Sequence, residues 1–175
     1  NVILFKLENL FSISQGKGFS NPKKESRLIL EYVAKKNLDL KTVFDIGCFH
    51  GDYTNEILKK FPNSSYFLFE PDGNNFQITK KRFCNNENIK VFQYAISNRN
   101  EDGILYSYGK GSLQGSLIDQ DFSHLNLINH IKQNVKIKRI DNLFEDFSLE
   151  SIDFCKIDIE GNEMKSLVGM GEKIK

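Results

Sequence analysis

The sequence predicts an α/β fold built on a mostly parallel sheet, with an antiparallel insertion between the third and fourth core strands. Three stretches carry that prediction. The run over 42–51, TVFDIGCFHG, is apolar up to Asp45, turns on Gly47 and Gly51, and passes at once into a helical pattern. Val43, Phe44 and Ile46 leave little polar alternation, as expected of a strand covered on both faces. A second run over 66–71, YFLFEP, closes on Glu70, and a third over 151–161, SIDFCKIDIEG, closes on Asp158 and Glu160. Open α/β sheets bind ligands outside the carboxyl ends of their strands, which is where all these groups fall.

In chain order, residues 1–41 read as an N-terminal helical extension and 42–175 as the ligand-binding domain. The opening NVILFKLENLF carries Lys6 and Glu8, is too short and too charged for a membrane span, and lacks the basic start and cleavage site of a leader. It reads as a local packing segment. Asn21 and Pro22 suit the cap and first turn of a helix with Leu28, Ile29, Tyr32 and Val33 as its buried stripe, ending near Asn37. The first core strand is 42–47. From Asp52, the side chains Tyr53, Ile57 and Phe61 recur every four positions, giving a packed helix stopped by Pro62. The second strand is 66–70, Pro71-Asp72-Gly73 turns the chain, and 75–83 is helical with Phe76 and Phe83 inward.

The third strand spans 90–94 and leaves through Ala95, Ile96 and Ser97. Where a simple repeat would supply a helix, DGILYSYGKGSLQGSL over 102–117 shows short strands and glycine punctuation, hence the antiparallel insertion. Residues 122–130 form a loop or short helix, 135–140 another strand, and 141–147 a short helix with Asp141 in the capping position. The fourth core strand is 152–158. A helix over 162–170 stops at Gly171.

Composition sets the outer limits. The 175 residues are enough for one domain with a sizeable core. Lys plus Arg number 24 against 23 Asp plus Glu, so there is no global charge argument for nucleic acid or a membrane surface. Cys48, Cys84 and Cys155 make an odd count without C-x-x-C spacing, against a disulfide scaffold or zinc ribbon and in keeping with a cytoplasmic setting. No spacing of His, Cys and carboxylates argues for a metal.

The ligand follows from the glycine spacing. A dinucleotide fingerprint needs G-x-G-x-x-G so that a diphosphate can lie against bare backbone. Here Phe49 stands in the middle glycine's place, and the charge of Asp45 would oppose a diphosphate but suit an ammonium group. Glu70 follows Gly51 at about the ~20-residue distance at which such folds set an acid on ribose hydroxyls. A cationic nucleoside satisfies both, and S-adenosylmethionine is the common ligand of that description. An NAD-linked oxidoreductase is disfavoured by Phe49.

The expected cofactor contacts are Asp45, Gly47, Cys48, Phe49 and Gly51 in the turn, Glu70 and Pro71 after the second strand, Ala95 and Ile96 after the third, and Asp158 and Glu160 after the fourth. Each has a plainer alternative: a tight strand-helix turn for the glycines, helix-start capping for Asp158 and Glu160, and a core thiol for Cys48. His50 is either a base or a group that orients the turn. His124, His130, Tyr106, Tyr108 and Lys110 lie in the variable region that would face an acceptor.

Taken together, DIGCFHG, FEP, YAIS followed by DG and a strand, and IDFCKIDIEGNEMKSLVG resemble the FkbM-type methyltransferases, a branch of the class I S-adenosylmethionine-dependent enzymes, over 42–171. The most specific piece is KIDIEGNE. The resemblance implies a Rossmann-like fold and O-methylation of a small-molecule hydroxyl, often on a sugar or polyketide. Asp158, His50 or a group from the missing C-terminal part would remove the hydroxyl proton. The sequence departs from the family at Cys48, Phe49 and His50, where members often carry a small residue and an Asn. The class I sheet also has seven strands, and this sequence reaches Lys175 where the fifth would begin, so the C-terminal strands are expected to be missing and the open edge to be covered by another segment or a partner chain, such as a second copy. Methylation of nitrogen and a binding domain without turnover remain the alternatives.

Overall fold

The computed structural model describes residues 3–5, 30–36, 38–107, 115–119 and 131–171. Its main sheet contains β1 (Ile3–Phe5), β2 (Thr42–Ile46), β3 (Ser65–Phe69), β4 (Ile89–Phe92) and β9 (Phe154–Ile157), in the order β1-β9-β2-β3-β4. All four pairings are parallel. A second sheet, of order β5-β8-β6-β7, is made of β5 (Tyr94–Ile96), β6 (Glu101–Ser107), β7 (Gly115–Ser116) and β8 (Ile131–Lys138). The described helices are α1 (30–35), α2 (Asp52–Lys60), α3 (Gly73–Arg82), α4 (Ile140–Phe147) and α5 (Glu163–Gly169).

The apolar runs explain the core. Successive side chains of a strand point to opposite faces, so Val43, Tyr66, Leu68 and Phe154 pack under Leu30 and Val33 of α1, Ile57 of α2 and Phe83. Phe44, Ile46, Phe67, Phe69, Cys155 and Ile157 pack on the other face with Ile140, Leu143 and Phe144 of α4. There Phe92 stacks on Phe147, with ring centroids 4.6 Å apart. Asp153 staples the start of the central pair: its Oδ2 accepts from Lys41 N at 2.9 Å and Thr42 N at 2.8 Å.

The parallel core, the glycine turn and the helices over 52–60 and 163–169 match the sequence reading, and several details differ. Tyr32 is 60% exposed, and Leu30 with Val33 forms the inward face of α1; the expected start of that helix at Asn21 and Pro22 lies outside the described residues, as does the 122–130 segment. The inward face of α3 carries Asn75 and Thr79 instead of Phe76, because these polar groups are needed by the turn beside them. The expected third strand is two: β4 belongs to the main sheet, exposed Gln93 intervenes, and the backbone of β5 pairs in parallel with β8. The insertion is therefore a mixed sheet, antiparallel only in its β6–β8 and β6–β7 pairs. Asp141 does not cap α4; Arg139 holds that position without a side-chain cap and its Nε donates to Asp141 Oδ1 at 2.9 Å. The free edge of β9 is taken by β1 of the same chain, Ile3 facing Phe154, where the sequence reading placed only a packing segment within a helical extension.

Candidate cofactor site

The carboxyl ends of β2, β3, β5 and β9 converge on one cavity, closed from the second sheet by Leu105, Ser107, Gly115 and Leu117. Gly47 opens it from β2. Its φ of +72° is left-handed, its N–H donates to Phe69 O at 2.9 Å, and a Cβ there would lie 2.0 Å from Asp158 O, so only glycine fits. Gly51, with φ +77°, is the N-cap of α2, and a Cβ on it would meet the Phe83 ring at 2.4 Å.

Between the glycines, Phe49 has a positive φ of +51°. It is held there by two neighbours, since its N–H donates to Glu70 Oε2 at 2.8 Å and its carbonyl accepts from the Thr79 hydroxyl. His50 stacks on the Phe49 ring with centroids 3.7 Å apart, and its Nε2 lies 3.1 Å from Asn75 Oδ1. Phe49 lines the cavity and His50 does not.

Glu70 closes β3 and is 6% exposed. Oε2 takes the Phe49 N–H and Oε1 accepts from Asp72 N at 3.0 Å. Burial pushes its carboxyl up to about 7, although these two backbone donors pull the other way. Asp72 next to it caps α3, its Oδ1 accepting from Asn74 N at 2.9 Å and Asn75 N at 3.0 Å. At the end of β9, Asp158 and Glu160 are exposed and line the same cavity. Their loop is tied by Glu163, which accepts from Gly161 N at 2.9 Å, and by Ser116, whose hydroxyl donates to Glu160 O at 2.9 Å. Ile96 O is fixed by two donors, Asn162 Nδ2 at 3.0 Å and Ser166 Oγ at 2.8 Å.

The structure thus brings Gly47, Phe49, Glu70, Pro71, Ala95, Ile96, Asp158 and Glu160 to one cavity. Asp45, Cys48, Gly51 and His50 stand behind its wall. Asp45, expected to meet the ligand's positive charge, is fully buried: Thr54 Oγ1 donates to its Oδ2 at 2.6 Å and Lys156 Nζ lies 3.0 Å from its Oδ1. Cys48 packs into the core beneath α2, and burial, with the charges of Asp45 and Glu70, pushes its thiol well up, so it is no nucleophile. Sequence reasoning missed Lys156, Asp72, Asn75 and Asn162. Only Lys156 left a signal, a lysine inside the apolar strand FCKI.

The donor set suits a cationic nucleoside. A buried carboxylate acceptor at Glu70 matches a diol, Phe49, Ile96 and Leu105 supply apolar walls, and Asp158 and Glu160 supply negative charge. Among the described residues no group of three or more His, Cys, Asp or Glu side chains could hold a metal.

A parallel sheet whose glycine turn and acid-ended strands share one cavity defines a nucleoside-binding α/β domain. The chain belongs to the methyltransferase FkbM domain family, whose model matches residues 45–175. It is 29% identical over 142 residues to the 2-O-methyltransferase NoeI of Sinorhizobium fredii, an alignment covering 75% of this chain and 58% of that protein. Among solved structures, coclaurine N-methyltransferase bound to N-methylheliamine and SAH overlaps it with a TM-score of 0.35 and 12% identity, over 74% of this chain and 50% of the other. The sugar N-methyltransferase KedS8 of Streptoalloteichus sp ATCC 53650 overlaps with a TM-score of 0.32 and 17% identity, over 50% and 32%.

Proposed function

We propose that this chain is the cofactor-binding part of an S-adenosylmethionine-dependent methyltransferase that methylates a hydroxyl of a sugar or other small molecule. The observation that carries the reading is Glu70, a buried carboxylate at a strand end, bound by two backbone N–H groups and lining the cavity that Gly47, Asp158 and Glu160 also line. The bound cofactor supplies a methyl group already activated by the adjacent sulfonium. The chain's own residues bind and align. Glu70 accepts from the ribose hydroxyls, Phe49, Ala95 and Ile96 form apolar walls, and Asp158 and Glu160 provide the anionic end. Leu105 and Leu117 of the second sheet exclude water from the transfer. Asp158 is the carboxylate placed to take the acceptor's proton, since His50 is engaged with Phe49 and Asn75 outside the cavity.

The hydroxyl reading draws on the 2-O-methyltransferase NoeI, 29% identical to this chain. No helix among the described residues is long and apolar enough to cross a membrane. The three cysteines are free, which supports a reducing, cytoplasmic setting. Calorimetric titration with S-adenosylmethionine, S-adenosylhomocysteine and NADH tests the cofactor. Micromolar binding of the first two without NADH binding is expected. NADH binding alone, or no binding by folded protein, would overturn the reading.

A further inference from the structure

β2 and β9 pair in parallel with Asp45 directly across from Lys156. The ammonium is buried, lies 3.0 Å from Asp45 Oδ1, and donates to Gly47 O at 2.6 Å. The contact with Asp45 Oδ1 is ionic without an aligned hydrogen bond. The directed hydrogen bond goes to the carbonyl of the turn.

Buried ion pairs seldom add stability by themselves, because desolvating both charges offsets their attraction, and an apolar pair of similar volume often serves as well. A lysine at this buried position therefore calls for a role beyond holding β2 to β9. Gly47 lines the cavity, and its peptide is pinned on every side: N–H to Phe69 O, Cα against Asp158 O, carbonyl to Lys156. Among the described residues the ammonium is the side-chain group that hydrogen-bonds this peptide, and the carbonyl it holds belongs to the residue from which the turn to Phe49 and Gly51 departs.

We propose that Lys156 is a positioning residue of the cofactor site: its ammonium fixes the Gly47 carbonyl and so sets the turn, while Asp45 only balances its charge. The inference rests on the cavity being the cofactor site, and it reverses the part expected of Asp45, whose charge serves an internal lysine in place of the ligand.

The test compares two variants of the full chain. Asp45→Asn keeps the shape of the side chain, an oxygen for Thr54 and the lysine donor. Asp45→Asn/Lys156→Met removes both charges and the donor at similar volume. S-adenosylhomocysteine binding is measured calorimetrically, beside thermal melting and the Gly47 amide signal in ¹⁵N–¹H spectra. Asp45→Asn is expected to bind within about threefold of the unaltered chain. The double variant is expected to lose at least about tenfold, ~1.4 kcal/mol, with a displaced Gly47 signal and a melting temperature no lower than that of Asp45→Asn, which leaves the lysine charge buried without its partner. Equal binding by the two variants would overturn the proposal, and so would a loss in Asp45→Asn as large as in the double variant. Should the double variant not fold, Asp45→Asn/Lys156→Gln, whose amide nitrogen is one bond too short to reach Gly47 O, is read in its place. Absence of binding by the unaltered chain would instead sink the cofactor reading.

Discussion

Replacing Glu70 by glutamine separates the cost of its buried charge from its use. Burial raises the carboxyl from its ordinary value of 4.5 to about 7, and at 1.36 kcal/mol per unit that displacement is worth about 3 kcal/mol. A folded-state value above the unfolded one means that stability from this group is full below about 4.5 and is lost as pH rises through about 7. The unaltered chain should therefore lose about 3 kcal/mol between pH 4.5 and 8 from Glu70, or roughly 6 to 12 °C in melting temperature for a chain of this size. Glu70→Gln, neutral throughout, should lack that slope, although one amide N–H then faces a backbone donor at a cost of about 1 to 3 kcal/mol. Cofactor affinity should move the opposite way. Ribose hydroxyls need the carboxylate, so S-adenosylhomocysteine binding should strengthen as pH rises through about 7, and Glu70→Gln should weaken it by about 1 to 3 kcal/mol with a flat pH dependence. Thermal melts and calorimetry from pH 5 to 8 measure both. Parallel melting curves for the two proteins over that range, or unchanged affinity in Glu70→Gln, would refute the reasoning.

Three further outcomes are expected. Gly47→Ala places a Cβ 2.0 Å from Asp158 O at a left-handed φ, so thermal melting should show a loss of at least about 2 kcal/mol, with binding abolished. Asp153→Ala, which removes the acceptor of Lys41 and Thr42 away from the cavity, should cost about 1 to 3 kcal/mol in denaturant unfolding and leave the affinity of the folded protein for S-adenosylhomocysteine unchanged. Once an acceptor is found, Asp158→Asn should slow transfer by about 10² to 10⁴, the scale of general-base catalysis, and His50→Ala by far less; a reversal of that order in steady-state rates would move the base to His50.

The turn at 42–51 was legible because two independent signals coincide there, a strand without polar alternation and glycines at positions where the backbone is left-handed. Glu70 was legible from its distance along the chain alone. Asp45 misled because its partner, Lys156, is remote in sequence and becomes its neighbour only through the register of β2 on β9. Asn75 and Thr79 looked like the wet side of a helix, yet they face the Phe49–His50 turn, where backbone and ring need polar partners. The break at Gln93 leaves no mark in a run of alternating side chains, because it is set by which sheet offers backbone partners to Tyr94. Composition around Ile3–Phe5 says apolar, and only the open edge of β9 makes that segment a strand.

The staple between Thr42 and Asp153 joins positions 111 apart, and the whole second sheet lies in the intervening loop. Closing so long a loop costs chain entropy that is repaid only when the distant strands meet, the circumstance that makes folding slow. The cavity draws on all of that loop: Gly47 and Glu70 come from its first part, Ala95, Leu105 and Leu117 from its middle, and Asp158 and Glu160 from the strand end just past its close. Affinity for the ligand is consequently expected to arise late in folding, with the docking of β9, and a refolding experiment followed by ligand binding times the arrival of that strand.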